Sequence, residues 1–155
     1  MQPLNLPAYH PDVSQRGEKF FIFDLLRRKQ VTLTPEEWVR QHFVHYLITE
    51  KMYPKERLAN EVSIMLEQLS KRCDTVVYDR YLSPIAIAEY KAPSVPITRK
   101  VFEQIVRYNF SLRVRHLIVS NGMAHYCCRI DYEKADYVFL KEIPTYEILE
   151  TCQEF

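Results

Sequence analysis

The stretch Ile85-Ala86-Ile87-Ala88-Glu89-Tyr90-Lys91 predicts a strand that is buried along most of its length and ends in charged residues. Side chains alternate between the faces of a strand, so Glu89 and Lys91 point the same way, about 6.6 Å apart along the backbone. Asp74 lies fifteen positions before Glu89, at the start of a second apolar run, residues 75–78. Charges on a buried strand are costly unless something binds them, and two carboxylates beside a lysine suit a divalent cation and a phosphate ester.

This pattern predicts a magnesium site in which Asp74, Glu89 and the carbonyl of Tyr90 supply oxygen ligands and waters complete the coordination. Lys91 would orient or deprotonate the attacking water, or neutralise charge on the phosphate. The competing interpretation is an exposed glutamate–lysine pair with Asp74 in a turn, and the apolar context favours the cation site. Asp79, in the turn that follows the upstream run, is the rival for the role of Asp74.

The flanking segments predict a single α/β domain with a mixed sheet. The predicted strands span 19–26, 31–33, 74–78, 84–90, 115–120, 123–130 and 137–140, and the predicted helices span 35–51, 97–112 and 145–152. Residues 58–66 fit a strand, although 56–69 also fit a helix. The first two strands form a hairpin, and 84–120 form a right-handed strand–helix–strand crossover. Residues 1–17 are expected to be an N-terminal arm, followed by the domain at 18–155.

Composition narrows the classes of function. With 2 glycines, the chain contains neither a GxGxxG nor a Walker pattern, so we expect no ATP site. A net charge of +1, from 21 basic and 20 acidic residues, carries no overall nucleic-acid signature, although a local basic stripe is compatible with it. The 4 cysteines form no CxxC pair, no run in the sequence approaches the length of a membrane span, and we expect no signal peptide. A cytoplasmic protein with reduced thiols is therefore expected.

The predicted second helix carries a polar pair, Gln104 and Tyr108, which are one turn apart and face the same side. These side chains would reach a phosphate or a metal-bound water. The alternative is a boundary glutamine beside a core tyrosine, since the predicted buried stripe of this helix is Val101, Ile105, Tyr108 and Leu112. Three basic residues of the same helix would contact DNA phosphates or form a solvated face, namely Arg99, Lys100 and Arg107.

The predicted first helix begins with Thr34 as its cap and carries two acidic candidates, Glu36 and Glu37. Its predicted apolar face comprises Val39, Phe43, Tyr46 and Leu47. Glu36 lies near that face, whereas Glu37 is explained as the reciprocal member of a capping box. Glu36 is therefore the better candidate for an additional acid, with an ion pair to Arg40 as the alternative. Glu61 is expected to be an exposed acid.

Asp74, the Glu89-Tyr90-Lys91 triplet and the Gln104-x-x-x-Tyr108 helix together resemble the PD-(D/E)xK nuclease superfamily, in its RecB-like branch. More closely, the chain resembles the N-terminal nuclease domain of type I restriction enzyme R subunits over roughly residues 18–140. The matching stretches are 34–41, 88–93, 104–109 and 119–122. Two departures are Cys73, where the motif's name has proline, and length, since we expect this chain to carry none of the motor domains that follow the nuclease in R subunits.

The resemblance implies a restriction-endonuclease-like mixed sheet flanked by helices, with Asp74 and Glu89 as metal ligands and Lys91 as the catalytic lysine. It also implies supporting roles for Gln104 and Tyr108, and an acidic residue on the first helix. The expected activity is Mg²⁺- or Mn²⁺-dependent hydrolysis of DNA phosphodiesters in restriction-modification. Expected partners are DNA and either a second copy of the chain or separate motor and specificity subunits. The alternative is a non-catalytic nuclease-fold module that binds DNA or a partner protein.

Overall fold

The computed structural model describes residues 1–152, which form two β-sheets and three α-helices. In chain order the elements are β1 (Val13–Arg16), β2 (Lys19–Asp24), β3 (Lys29–Thr32), α1 (Pro35–Thr49), β4 (Leu58–Leu66), β5 (Leu69–Tyr78), β6 (Pro84–Tyr90), α2 (Arg99–Phe110), β7 (His116–Ser120), β8 (His125–Asp131), β9 (Asp136–Phe139) and α3 (Tyr146–Thr151). The α/β class and the mixed sheet predicted from the sequence are confirmed.

The smaller sheet is antiparallel, in the order β1-β2-β3. The hairpin predicted from residues 19–33 is confirmed, but the arm predicted at 1–17 contains β1, which pairs with β2. A glycine at position 17 with φ +63 lets the chain turn tightly between these two strands. Upstream of β1, Leu4 packs on the main core, and the backbone N–H of Asn5 donates to the Gly122 carbonyl at 2.9 Å. The predicted arm therefore folds onto the rest of the chain.

The larger sheet has six strands in sequential order from β4 to β9. Only the β6–β7 pair of these strands is parallel, and α2 connects the two, as predicted for residues 84–120. Residues 58–66 are a strand, so the helical alternative for this segment is wrong. They pair with β5 from Leu58 opposite Val77 to Leu66 opposite Leu69. Because β4 provides this partner, β5 begins five residues earlier than the apolar pattern alone indicated.

The two long helices cover opposite faces of the larger sheet. Alternate residues of β6 show this arrangement, since Ala86 and Ala88 belong to the core beneath α1, whereas Ile87 belongs to the core beneath α2. The predicted buried face of α1 is confirmed for Val39, Phe43 and Leu47, and Tyr46 is half-buried.

The predicted buried stripe of α2 is wrong in part. Its buried residues are Phe102, Ile105, Val106 and Asn109, whereas Tyr108 is 51% exposed. The segment 101–108 contains five apolar residues, and these cover more than one face of a helix. The sequence pattern therefore does not define which face of α2 is buried, and packing against the sheet determines it.

The cysteines lie largely where the sequence predicted, inside the hydrophobic cores. Cys73, Cys127 and Cys128 are free and buried in the cores, as expected for small apolar groups, while Cys152 is half-buried.

Within residues 1–152, no helix has both the length and the apolar character needed to cross a bilayer.

Candidate active site

Antiparallel pairing of β5 and β6 brings Asp74 and Glu89 together. Thr75 lies opposite Ala88, so the two acids are the next residues along the two strands. The backbone N–H of Tyr90 donates to Asp74 Oδ2 at 2.9 Å, which ties the aspartate to the end of β6. Lys91 follows directly, and its own N–H donates to the Ser120 carbonyl at 2.9 Å.

A cavity of about 380 Å³ collects these side chains at the end of the strands. Its lining is mostly polar and comprises Thr34, Glu36, Arg40, Glu61, Asp74, Glu89, Tyr90 and Lys91. The structure thus brings four of the sequence-predicted site residues into one cavity, namely Glu36, Asp74, Glu89 and Lys91. The rival acid Asp79 lies elsewhere, because its Oδ1 accepts from the backbone N–H groups of Tyr81 and Ser83 in the predicted turn.

The Glu89 carboxyl is poorly compensated. Its Oε1 atom is buried and has no hydrogen-bond partner among residues 1–152. Burial, then the charge and hydrogen bonding of neighbouring Asp74, raise the pKa of Glu89 well above its ordinary value, and the Lys91 ammonium lowers it by less. Two acids that share a site in this way repel one another unless a proton or a cation joins them.

The available oxygen donors suit a hard divalent cation. Asp74, Glu89 and the Tyr90 carbonyl can supply oxygens, whereas no cluster of three or more His, Cys, Asp or Glu residues spaced for a metal occurs in the part of the chain that the structure describes. Mg²⁺ keeps several waters and needs only one or two carboxylates, whereas structural zinc sites use four nitrogen or sulfur ligands. The donor set therefore fits Mg²⁺ or Mn²⁺ better than Zn²⁺.

The backbone is irregular beside the acidic pair. Glu61, in the middle of β4, adopts φ +56, a conformation in which non-glycine residues are uncommon. Pairing with β5 is regular on both sides, at Asn60–Thr75 and Val62–Cys73, but is interrupted between Glu61 and Asp74. Strain of this kind concentrates at functional sites, and here it lies against the cavity.

Arg40 on α1 fills the interruption. Its Nη1 donates to the Asp74 carbonyl at 2.7 Å, and its Nη2 donates to Glu61 Oε1 at 2.8 Å. Burial alone would lower the pKa of Arg40, but hydrogen bonds and charges from Glu37 and Glu61 raise it above its ordinary value. Neither Arg40 nor Glu61 was assigned to the site from the sequence. Glu61 is half-buried rather than exposed, and the local pattern gives no signal for its left-handed backbone.

The burial of the two acidic residues of α1, Glu36 and Glu37, is the reverse of the prediction from the sequence. Glu36 is exposed and lines the cavity, so the prediction that it lies near the buried face is wrong. Glu37 is buried, and its carboxylate accepts from Arg27 at 2.7 Å and from Arg40 Nε at 2.9 Å. The capping interpretation of the Glu37 side chain is therefore wrong, although its backbone N–H does donate to Thr34 Oγ1 at 3.0 Å.

The residues predicted on α2 lie apart from this cavity. Gln104 and Tyr108 are exposed, and no residue of α2 is among the described residues that line it. Instead, the Lys71 ammonium lies 4.3 Å from the centroid of the Tyr108 ring. The three basic candidates, Arg99, Lys100 and Arg107, are also exposed, and Arg99 forms an ion pair with Glu103 at 3.0 Å.

A known protein family matches most of the chain. The family described as the N terminus of the type I restriction enzyme R protein (HSDR_N) matches residues 35–144, a span that includes every residue of the cavity except Thr34. No curated protein matches the chain.

A solved structure has a similar fold. It is a fragment described as an HsdR subunit of a type I restriction enzyme from Vibrio vulnificus YJ016, with a TM-score of 0.54 and 19% sequence identity. The match covers 77% of this chain and 25% of that chain, so the present chain corresponds to about a quarter of the solved relative. At this identity the similarity establishes the fold.

Proposed function

Since the chain belongs to the family of type I restriction enzyme R protein N-terminal domains, we propose that it is a metal-dependent endodeoxyribonuclease module that hydrolyses DNA phosphodiester bonds. The observation that carries this proposal is the meeting of Asp74, Glu89 and Lys91 in one cavity, where a buried Glu89 oxygen is unpartnered among the described residues. This combination is the one expected for a PD-(D/E)xK site.

Each residue of the cavity has a chemical role in the proposed reaction. Asp74, Glu89 and the Tyr90 carbonyl would hold Mg²⁺ or Mn²⁺, which when bound lowers the pKa of water and polarises the phosphate. The Lys91 ammonium orients the attacking water and stabilises negative charge that develops on the phosphate. Glu36, exposed at the cavity, is the additional acid of the first helix.

DNA and protein partners are part of the proposal. Three exposed basic residues of α2 contact DNA phosphates in this proposal, namely Arg99, Lys100 and Arg107. The exposed Gln104 and Tyr108 contact the same DNA strand through their polar groups. The protein partner in this proposal is either a second copy of the chain or separate motor and specificity subunits.

Nicking of supercoiled plasmid DNA tests the activity. We expect nicking with Mg²⁺ or Mn²⁺ and none with EDTA. Lys91→Ala and Asp74→Asn should each reduce the rate by about 100-fold or more, because each removes charge from the site of reaction. The matched controls are Lys134→Ala, an exposed lysine in the turn between β8 and β9, and Asp79→Asn in the turn after β5, which should each retain nicking. Nicking that persists in the Lys91 and Asp74 variants would refute this assignment.

The position of α2 favours one alternative function. Because Gln104 and Tyr108 do not line the cavity, a non-catalytic nuclease-fold module that binds DNA or a partner protein is the second candidate. Calorimetric titration with Mn²⁺, followed by DNA binding at low salt, separates the two functions. A folded protein without cation affinity that still binds DNA would support the DNA-binding module. A folded protein that binds neither Mn²⁺ nor DNA would support a protein-binding role.

A further inference from the structure

We infer that Arg40 is a positioning residue of this site, which sets the direction of the Asp74 carboxylate by holding the backbone of β5. Arg40 is 7% exposed and lies on α1, outside the strands that carry the acidic pair. Although Arg40 also lines the cavity, its hydrogen bond to the Asp74 carbonyl is the contact through which we expect it to act on the cation site. The consequence for cation binding rests on the proposed function, whereas the positioning itself is a property of the protein alone.

The hydrogen bonds of Asp74 support this inference. Its carbonyl, released from the interrupted ladder beside Glu61, accepts from Arg40 Nη1 at 2.7 Å. Its carboxylate accepts from the Tyr90 backbone N–H at 2.9 Å. The residue is thus held at both ends, by α1 on the backbone side and by β6 on the side-chain side. Loss of the Arg40 contact would free the carbonyl and let the carboxylate swing away from Tyr90.

The guanidinium group is needed because of its shape. Arg40 donates from Nε and Nη2 to Glu37, from Nη2 to Glu61 and from Nη1 to Asp74. A planar fork can serve these separate acceptors at once, whereas the compact ammonium of lysine cannot span them. Arg40→Lys should therefore keep the positive charge beside the two glutamates while losing the bond to the Asp74 carbonyl.

Arg27 provides a matched control. Its Nη2 donates to the same glutamate, Glu37, at 2.7 Å, and its Nε donates to Asp24 at 2.6 Å. No hydrogen bond or ion pair joins it to Asp74 among the contacts of residues 1–152. Arg27→Lys thus perturbs the same buried acid with the same substitution but leaves the Asp74 carbonyl bonded to Arg40.

Amide hydrogen exchange at Tyr90, measured by NMR on the metal-free protein, is the direct readout. We expect Arg40→Lys to accelerate exchange at this amide by about tenfold, the factor that corresponds to loss of one hydrogen bond, and Arg27→Lys to change it less than about threefold. If Arg40→Lys fails to fold, the double variant Glu37→Gln/Arg40→Gln removes both buried charges together and should show the same acceleration. Unchanged Tyr90 exchange in the folded Arg40 variants, or equal acceleration in Arg27→Lys, would overturn the inference.

Calorimetric titration with Mn²⁺ then separates this inference from the proposed function. We expect Arg40→Lys to weaken Mn²⁺ affinity by about tenfold, with Arg27→Lys within about twofold of the wild type, because a misdirected ligand loses most of its contribution. A wild type without Mn²⁺ affinity, combined with accelerated Tyr90 exchange in Arg40→Lys, would refute the nuclease proposal and uphold the positioning role. Wild-type affinity for Mn²⁺ in Arg40→Lys would overturn the consequence for the site.

Discussion

Two clusters of buried charge lie side by side in this protein, and they are compensated to very different degrees. The first, here called the arginine network, joins β2, α1 and β4 and consists of Asp24, Arg27, Glu37, Arg40 and Asn60. The second is the carboxylate pair of Asp74 and Glu89. The comparison separates charges that hold the fold together from charges that are available to a ligand.

Within the arginine network, the acids have several donors each. Asp24 accepts from the backbone N–H groups of Leu26 and Arg27, from Arg27 Nε and from Asn60. Burial opposes ionisation of this acid, but the hydrogen bonds and charge of Arg27, together with Asn60, lower its pKa below the ordinary value. Glu37 likewise accepts from two arginines and from Gln41. These charges are satisfied within the protein.

The carboxylate pair lacks such compensation. Asp74 accepts a backbone N–H, but Glu89 is buried beside it with one oxygen unpartnered among residues 1–152 and with a raised pKa. A protein gains no stability from two ionised acids held together in this way, and this uncompensated pair is the feature that the proposed cation site would explain. This contrast is the one that we expect between a binding site and a structural network of similar composition.

The largest expected effect is a difference in stability between two glutamine substitutions. Glu37→Gln leaves the buried Arg40 and the half-buried Arg27 without their shared counter-ion and should lower the free energy of unfolding by about 3 kcal/mol. Glu89→Gln removes one of two repelling acids and should change it by less than about 1 kcal/mol, or raise it. Urea unfolding of both variants measures the difference. Equal losses of stability would contradict the division into two kinds of cluster.

The pH dependence of stability should come from the carboxylate pair. Since the pKa of Glu89 in the folded protein lies above its value in the unfolded chain, the native state binds this proton more tightly. The contribution is complete below the unfolded pKa and is lost as pH rises through the folded pKa.

Urea unfolding of the metal-free protein at a series of pH values from acid to alkaline measures this loss. Glu89→Gln should flatten the profile, because the titrating group is gone. Mn²⁺ should restore stability on the alkaline side in the wild type, where it replaces the proton. A wild-type profile that Glu89→Gln leaves unaltered would assign the pH dependence to other groups.

The exposed residues of α2 lie outside both clusters, so substituting them tests whether cation affinity depends on the carboxylate pair alone. Gln104→Ala should leave Mn²⁺ affinity within about twofold of the wild type and weaken DNA binding by a few-fold, as expected for an exposed group that contacts the nucleic acid. Calorimetry and fluorescence anisotropy provide the two affinities. A large loss of Mn²⁺ affinity would show that this glutamine reaches the cation site after all.

The smallest effect concerns the basic residues of α2. Lys100→Ala and Arg107→Ala should each weaken DNA binding alike for all sequences and reduce the slope of log affinity against log salt by about one. Arg99→Ala should have a smaller effect, because its guanidinium is already paired with Glu103. Anisotropy titrations at several salt concentrations measure the slopes. Slopes identical to the wild type in the first two variants would place DNA on another surface.

The sequence predicted the parts of the site that depend on local rules. Alternation along a strand and the turn at Asp79 were sufficient to place Asp74 beside Glu89, and Thr34 followed by Pro35 marked the start of α1. Each of these signals lies within a few residues of the feature that it predicts.

Features that depend on distant contacts were not predictable in the same way. The role of Arg40 requires α1 to lie against β5, thirty-four positions along the chain, and the left-handed backbone of Glu61 has no signal in its neighbours. The phase of α2 was misjudged because Phe102 and Val106 compete with Val101 and Tyr108 for the buried face, and only packing on the sheet decides between them.

Anomalous diffraction from crystals soaked in Mn²⁺ is the most direct test of the central claim, that the carboxylate pair is a cation site. We expect a single strong peak within coordination distance of an oxygen from both Asp74 and Glu89, and its loss in Glu89→Gln crystals. Crystals in which Mn²⁺ is absent from the acidic pair, or bound at surface carboxylates instead, would contradict the account.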